Sequence, residues 1–235
     1  MDKLLDTLFV ITARGGSKGL PGKNIKNLCG KPLIAYSIDV ARAFVSDEDI
    51  CVSTDSLEII EAVEKYGLKV PFVRPAELAT DTATSNDVLV HAVKFFIAQG
   101  RTYKRLVLLQ PTSPLRSVDD VRGALGLYSP GIDMVVSVAR SHAPAVLCSD
   151  NAEGFVRLYF NKNALGRQSL PDMYEYNGAV YVMSVDALLE KGLGAFTKCV
   201  KFVMDKENSI DIDDIYDFEY AESVMKMRAE RENRK

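Results

Sequence analysis

The sequence predicts an α/β fold in three layers, a mostly parallel central sheet with helices on both faces. Short apolar runs rich in β-branched residues, such as TLFVITA at 7–13, alternate with segments of helical periodicity, such as LEIIEAVEKYG at 57–67. Such runs are typical of strands covered on both faces, and regular alternation favours parallel pairing. A polar, glycine-rich loop follows the first strand, where open α/β sheets bind their ligands.

The elements are predicted from periodicity and from turn signals. Strands are predicted at 7–13, 50–54, 70–73, 105–110, 133–140, 177–184 and 199–203, and helices at 32–44, 57–67, 86–98, 118–128 and 214–230. Pro32 suits the first turn of a helix, and Gly67 suits a helix end. Residues 141–176 are polar, aromatic and irregular, which predicts a small excursion within a single domain spanning 1–235.

Composition excludes several classes of function. The 235 residues are 47% apolar with a net charge of -3, so the chain can bury a full core, and its scattered Lys and Arg disfavour nucleic acid and anionic membrane surfaces as partners. The beginning of the chain does not resemble a signal peptide, and no apolar run approaches the ~18 residues of a spanning helix. We therefore expect a cytoplasmic protein without a membrane partner.

The cysteines are too widely spaced for a zinc site or a disulfide framework. They are Cys29, Cys51, Cys148 and Cys199. We expect reduced, mostly buried thiols.

The loop ARGGSKGLPGKN at 13–24 has the composition of a phosphate site. Arg14, Lys18 and Lys23 supply cations, and four glycines allow backbone amides to approach a phosphate closely. The spacing is neither GxGxxG nor GxxxxGK[ST], which excludes the dinucleotide and P-loop motifs. A flexible solvated turn is the alternative, but a cationic loop directly after a buried strand favours a triphosphate.

The segment SIDIDD at 209–214 is a candidate metal site. Asp211 and Asp213 alternate with two isoleucines, so in an extended segment both carboxylates lie on one side. Two hard oxygen ligands suit magnesium. A polar edge strand, or capping of the next helix by Asp213 or Asp214, explains the pattern equally well by spacing alone.

Seven blocks together resemble one family. They are ARGGSKGLPGKN followed by GKPLIAYSI, then STD at 53–55, RPAELATDTATS at 74–85, LLQPTSPLR at 108–116, RQSLP at 167–171, YNGAVY at 176–181 and SIDIDD. In this order they resemble the acylneuraminate cytidylyltransferase (CMP-sialic acid synthetase) family over nearly the whole chain. The resemblance implies a nucleotide-diphospho-sugar-transferase-like (Rossmann-like) fold and a nucleotidyltransferase that joins CTP to a nine-carbon acidic sugar, with Mg2+ as cofactor. It also implies a homodimer, with 141–176 as the dimerisation and sugar-site excursion.

The resemblance also implies roles for individual residues. The implied nucleotide-binding set is Arg14, Ser17, Lys18, Lys23, Asn24, Arg74, Ala83 and Ser85. The implied sugar-binding set is Gln110, Arg167, Asn177 and Tyr181. Arg14, Lys23, Asp211 and Asp213 are the implied catalytic residues. The resemblance also favours magnesium binding by the two aspartates over the alternatives left open by their spacing. For Arg74 a surface ion pair is the alternative, and for Tyr181 a core or rim aromatic.

Several alternatives stay open. Glu175 and Tyr176 precede the NG where sialic acid enzymes can carry a basic residue, so a legionaminate or a deaminated sialic acid is an alternative acceptor. An eight-carbon acceptor, 3-deoxy-manno-octulosonate, is the nearest rival within the enzyme class. A nucleotide-sensing domain without catalysis is the rival outside it, although such a domain does not need the acidic pair.

Overall fold

The computed structural model describes residues 3–17, 19–141, 147–158 and 172–233. The strands are β1 (Thr7–Thr12), β2 (Asn27–Leu28), β3 (Lys31–Pro32), β4 (Ile50–Ser53), β5 (Arg105–Leu109), β6 (Met134–Ser141), β7 (Cys148–Asp150), β8 (Val156–Leu158), β9 (Met173–Ser184) and β10 (Cys199–Val203). The helices are α1 (Leu33–Arg42), α2 (Leu57–Lys65), α3 (Ser85–Ala98), α4 (Val118–Leu127), α5 (Val185–Lys191) and α6 (Ile215–Asn233).

A six-stranded sheet in the order β10-β6-β9-β5-β1-β4 forms the centre of the molecule. β1 pairs in parallel with β4 and β5, and β6 pairs in parallel with β10. β9 is antiparallel to both β5 and β6 and joins the two parallel groups. The carboxyl ends of β1, β4 and β5 therefore meet at one edge of the sheet, as the alternation of elements predicted.

Alternate side chains of β1 enter two different cores. Phe9 and Ile11 pack with apolar residues of α1, α2 and α4 on one face of the sheet. Leu8 and Val10 pack with residues of α3 and α5 on the other face. Burial on both faces explains why the strand reads as a continuous apolar run. The predicted three-layer α/β architecture is confirmed.

A third apolar cluster packs the last helix against α1 and the segment around Ile212. Phe218, Ala221 and Val224 of α6 pack with Leu33 and Ile212, and all five are buried. Ile212 is fully buried, and it stands between Asp211 and Asp213. The segment with the acidic pair is therefore fixed to the core by its own isoleucine.

Two predicted elements differ in the structure, and one helix of the central fold was not predicted. Residues 70–73 do not form a strand: Val73 makes a single bridge to Thr54, and Pro71 lacks the N–H that a ladder needs. β9 begins at Met173, four residues before the predicted start, because it continues along β6 beyond the main sheet. The helix α5 was not predicted; Ser184 caps it by accepting the N–H of Ala187.

The predicted excursion is described only in part. β6 and β9 continue as a two-stranded ribbon from Val138 and Tyr176 outwards, and β7 and β8 form a separate antiparallel pair. Residues 142–146 and 159–171 lie outside the described residues. The division into one domain with an excursion, and the dimer, stay predictions.

All four cysteines are free thiols, as predicted, but the predicted burial holds only for Cys51. Cys29 lies in a tight turn with φ 47°, and Cys199 lies on the edge strand β10, so both are exposed, as is Cys148. Within the described ranges, none of the helices has both the length and the apolar content that crossing a bilayer needs.

Candidate active site

Two cavities meet at the carboxyl edge of β1. The larger cavity, about 510 Å³, is lined by residues of the loop after β1, by residues 110–112 after β5, and by Asp213. The smaller cavity, about 210 Å³, is lined mainly by residues 74–88. Thr12 and Arg14 line both cavities, so Arg14 stands at the boundary between them.

Hydrogen bonds and one close backbone approach fix the cationic loop. The N–H of Gly15 donates to Asp55 Oδ1 over 3.0 Å, and the N–H of Ser17 donates to the Gly15 carbonyl over 3.0 Å. Asn24 Nδ2 donates to the Arg14 carbonyl over 3.2 Å. A Cβ on Gly19 would lie 2.4 Å from the backbone oxygen of Asp213, so only glycine fits there. The loop therefore closes against the acidic segment, which we define as residues 209–214.

Lys23 connects the loop to the acidic segment. Its buried side chain donates to the carbonyl oxygen of Ile212, and its Nζ lies 3.7 Å from Asp213 Oδ1. The side chain of Asp213 is 86% exposed and faces the larger cavity. The predicted cation and one predicted metal ligand thus lie side by side, 190 residues apart in sequence.

Asp211 and Asp214, at the two ends of the DIDD sequence, have different surroundings. Burial raises the pKa of the Asp211 carboxyl, a hydrogen bond with Thr112 lowers it, and the charge of Asp213 raises it further. Oδ1 of Asp211 is buried without a hydrogen-bond partner, whereas Oδ1 of Asp214 caps α6 by accepting the N–H groups of Tyr216 and Asp217. Asp214 therefore takes the capping role, and Asp211 and Asp213 do not.

A bulge in β9 lies beside Gln110 and Asp211. Between the pairs Val136–Tyr181 and Val138–Tyr176 the register shifts, and Gly178 adopts φ 72°. A Cβ on Gly178 would lie 3.1 Å from Gln110 Oε1 and 3.6 Å from Asp211 Oδ2. Bulges of this kind re-aim a strand beside an active site. Gly178 therefore marks where β5, β9 and the acidic segment converge.

Tyr181 and Asn177 flank this bulge. Burial raises the pKa of the Tyr181 hydroxyl, and the charge of Asp211 adds to the rise. Tyr181 is partly buried against the second core and lies edge-on to Tyr176. It is an aromatic residue at the rim of this core, and it is close enough to Asp211 for that charge to affect its pKa. Asn177 is only 7% exposed, and its amide bonds to other side chains of the protein.

Arg74 is the buried cation of the smaller cavity. Its Nε donates to Ser53 Oγ over 3.0 Å, its Nη2 donates to the Ser53 carbonyl, and burial lowers its pKa. The alternative of a surface ion pair is therefore wrong. Ala83 and Ser85 line the same cavity, at the capped beginning of α3. Asn24, another member of the implied nucleotide-binding set, lines the larger cavity.

Arg116, the last residue of the LLQPTSPLR block, lines neither cavity. The side chain is 3% exposed and donates to the carbonyls of Gln110 and Ala179 and to Ser37 Oγ. Burial lowers its pKa to about 9. Arg116 thus connects the end of β5 to β9 through the carbonyls of Gln110 and Ala179.

Most predicted site residues lie around the two cavities. Lys18 and Arg167 lie outside the described residues. Gly178 and Thr112 were not singled out from the sequence, and Gly19 was included only as one of the four glycines of the cationic loop. The NG pair was a usable signal for Gly178, since glycine after asparagine often marks a left-handed backbone position, whereas nothing local marks the approach of Gly19 to Asp213. Across the described residues, no group of three or more His, Cys, Asp or Glu side chains forms a metal cluster.

A family model described as cytidylyltransferase matches residues 8–233. The chain belongs to the cytidylyltransferase family. The predicted nucleotidyltransferase class is thereby confirmed, and the site belongs to an enzyme of this family.

Curated relatives of this cytidylyltransferase include three kinds of synthetase. It is 35% identical over 227 residues to the N-acylneuraminate cytidylyltransferase of Escherichia coli O18:K1:H7, covering 94% of this chain and 52% of the relative. It is 32% identical to the CMP-N,N'-diacetyllegionaminic acid synthase of Legionella pneumophila, covering 95% and 97%. It is 32% identical to the pseudaminic acid cytidylyltransferase of Campylobacter jejuni, covering 96% and 99%. The chain thus spans about half the length of the first and nearly all of the other two, and the predicted resemblance is confirmed.

Solved structures of low sequence identity share the fold. A CMP:2-keto-3-deoxy-manno-octonic acid synthetase complexed with CTP has a TM-score of 0.69 at 19% identity, covering 95% of this chain and all of that one. A 4-diphosphocytidyl-2C-methyl-D-erythritol synthase from Anaerococcus prevotii has a TM-score of 0.63 at 15% identity, covering 94% and 98%. At these identities the likeness concerns the fold alone.

Proposed function

We propose that this cytidylyltransferase transfers CMP from CTP to the anomeric hydroxyl of a nine-carbon acidic sugar, a sialic acid or related nonulosonate, and releases pyrophosphate. The observation that carries the proposal is the pair of cavities joined at Arg14, with Lys23 and the acidic pair beside the larger one. The full-length relatives named for legionaminic and pseudaminic acids support the same class of acceptor.

The two cavities divide CTP between them. The smaller one, with buried Arg74 and the backbone near Ala83, suits the cytosine edge, because a guanidinium donates and a carbonyl accepts. The larger one, with Arg14, Ser17 and Lys23, suits the triphosphate. Arg14 Nη1 lies 2.9 Å from Asp81 Oδ1 at the boundary, so CTP phosphates would compete with Asp81 for this guanidinium. Lys18 belongs to the same proposed set.

The residues fit a magnesium ion. Oδ1 of Asp211 is buried without a partner, and Asp213 presents a second carboxylate to the cavity. Oxygen ligands of this kind suit Mg2+, which keeps several ligands for water and phosphate. When bound, the ion would neutralise phosphate charge and lower the pKa of the attacking hydroxyl.

The chain's own residues orient the substrates and stabilise developing charge. Attack of the sugar hydroxyl oxygen on the α-phosphorus of CTP forms a new P–O bond, releases the hydroxyl proton to solvent and breaks the bond to pyrophosphate, on which charge accumulates. Arg14 and Lys23 are fixed cations that stabilise this charge more than water does. No covalent enzyme intermediate is required.

The acceptor lies on the Gly178 side of the larger cavity in this proposal. Gln110 Oε1 and Tyr181 flank the bulge beside Asp211, and Arg167 is the proposed partner of the sugar carboxylate. Glu175 lies two residues before Asn177, where sialic acid enzymes can carry a basic residue, and it accepts a hydrogen bond from Ser141 Oγ over 3.0 Å. We therefore favour a nonulosonate other than N-acetylneuraminate itself.

We also propose that the protein is a homodimer formed through the 141–176 excursion. The described part of the excursion exposes Phe155 and Val156, each 71% exposed, together with Leu147 and Tyr176. Large exposed apolar side chains are typical of an interface. Light scattering after size exclusion measures the oligomer directly. The cytoplasmic location stays a prediction.

Pyrophosphate release from CTP and magnesium tests the reaction. The acceptor panel is neuraminate, its deaminated form, legionaminate, pseudaminate and 3-deoxy-manno-octulosonate. Asp211→Asn should abolish turnover, whereas the control Asp214→Asn keeps a good helix cap and should retain it. Turnover with the octulosonate alone would overturn the nine-carbon proposal, and no turnover with any acceptor would overturn the reaction.

A further inference from the structure

The bulge in β9 gives Asn177 a full set of partners inside the protein. Its Oδ1 accepts from Ser137 Oγ over 2.6 Å and from the N–H of Ala179 over 3.3 Å. Its Nδ2 donates to Ser209 Oγ over 2.9 Å and approaches Met204 Sδ at 3.3 Å. An amide has two donors and one acceptor oxygen with two lone pairs, so these contacts use its whole capacity.

Ser209 carries this connection into the acidic segment. Its hydroxyl accepts from Asn177 and donates to the carbonyl of Asp205 over 2.8 Å. It stands two residues before Asp211. On the other side of Asp211, the N–H of Ile212 donates to the carbonyl of Thr112 over 2.8 Å. The backbone that carries Asp211 is thus held at one point before it and at one point after it.

The strand side of this connection is buried and hydrogen-bonded. Ser137 Oγ accepts the N–H of Val180 over 2.7 Å while it donates to Asn177, and Ser137 is fully buried. The amide of Asn177 therefore connects the central sheet to Ser209 through hydrogen bonds of normal length. Partners behind a metal ligand set its orientation and the affinity of the metal.

We infer that Asn177 is a positioning residue, which fixes the acidic segment through Ser209 so that Asp211 and Asp213 face a divalent cation, and does not contact the acceptor sugar. This inference rests on the proposed function of the site. It reassigns a residue that the sequence resemblance placed among the sugar contacts. It also assigns Ser209 a role in holding the acidic segment, which no sequence motif indicated.

The inference is tested without turnover by binding of Mn2+ to the full chain. The EPR signal of free Mn2+ measures this binding, with CTP present and no acceptor. Ser209→Ala should weaken Mn2+ binding about tenfold or more, the usual effect of removing a group behind a ligand. Ser209→Thr keeps the hydroxyl and should restore most of the affinity. Asn177→Ala should weaken Mn2+ binding similarly, and the double variant should add little to either single one.

Steady-state constants separate the two roles of Asn177. A positioning role raises the magnesium concentration needed for half-maximal rate and leaves the acceptor KM nearly unchanged. A raised acceptor KM in Asn177→Ala with unchanged Mn2+ affinity would overturn the inference, as would unchanged Mn2+ affinity in Ser209→Ala or no Mn2+ binding by the wild type. If Asn177→Ala does not fold, the Ser209 pair alone decides. Absence of turnover in a wild type that binds Mn2+ would count against the proposed reaction only.

Discussion

The two cavities are built from the chain in different ways. The smaller one is local, because residues 74–88 supply its whole lining apart from Thr12 and Arg14. Within this range, Thr84 and Asp87 form the capping box at the beginning of α3. The larger one is assembled from three distant parts of the chain, with Lys23 against the backbone of Ile212 as the main connection.

We expect this difference to separate binding from catalysis in the proposed function. A cavity supported by its own helix cap tolerates changes elsewhere in the chain, whereas an assembled cavity depends on each contact between its parts. We therefore expect variants of the larger cavity to affect the rate and the acidic segment together. Variants of the smaller cavity should affect CTP affinity by itself.

The largest expected effect follows Lys23→Ala. The substitution removes a fixed cation from the larger cavity and frees the carbonyl of Ile212, and loss of one such group from a transition-state site typically costs a factor of about 10²–10³ in kcat. Pyrophosphate release at saturating CTP measures it. Lys26→Ala, three residues further on and exposed, is the matched control. A comparable loss in both variants would contradict the assembled-cavity account.

The anchoring of the acidic segment is tested by Ile212→Ala. Because the side chain is fully buried in the cluster with α6, its truncation should lower the free energy of unfolding by about 3 kcal/mol. Urea denaturation measures this loss. Ile210→Ala, at a partly buried position of the same segment, should cost clearly less. Equal losses would mean that Ile212 has no special anchoring role.

Much of this site could be predicted from the sequence, because its chemistry is carried by contiguous blocks. The cationic loop follows a recognisable strand, and the apolar alternation of SIDID places Ile212 inside and Asp213 outside. Periodicity also gave the layers of the fold. Such patterns are local, so a single sequence displays them.

The supports of the site could not be predicted, because they join residues far apart in the chain. Nothing near Arg116 indicates that it holds the carbonyls of Gln110 and Ala179, and nothing near Gly19 indicates the backbone of Asp213. The direction of β9 was likewise hidden, since the apolar run of a central strand is the same for parallel and antiparallel pairing.

The independence of the smaller cavity is tested by Arg74→Ala. Removal of a buried guanidinium that bonds Ser53 and lines the cavity should raise the KM for CTP about tenfold or more, the effect of losing one charged hydrogen bond. The kcat at saturating CTP should change much less than in Lys23→Ala. Arg101→Ala, an arginine paired with Asp49 away from both cavities, is the control. A kcat loss as large as that of Lys23→Ala would show that the cavities do not act separately.

The smallest effect on activity is expected far from both cavities, at Asp133, before the first residue of β6. Its carboxylate pairs with Lys191 and accepts the N–H groups of Lys198 and Thr197, which together lower its pKa from 3.8 to about 2. Because the folded state holds the lower pKa, the stabilisation is complete above the ordinary value and is lost as the pH falls towards 2. Asp133→Asn should therefore show a shallower loss of melting temperature with acid than the wild type, with unchanged kcat/KM at neutral pH. If the melting temperatures of the two proteins fall in parallel with acid, Asp133 does not make this contribution to stability. A lower kcat/KM would show that this end of the sheet is coupled to the site.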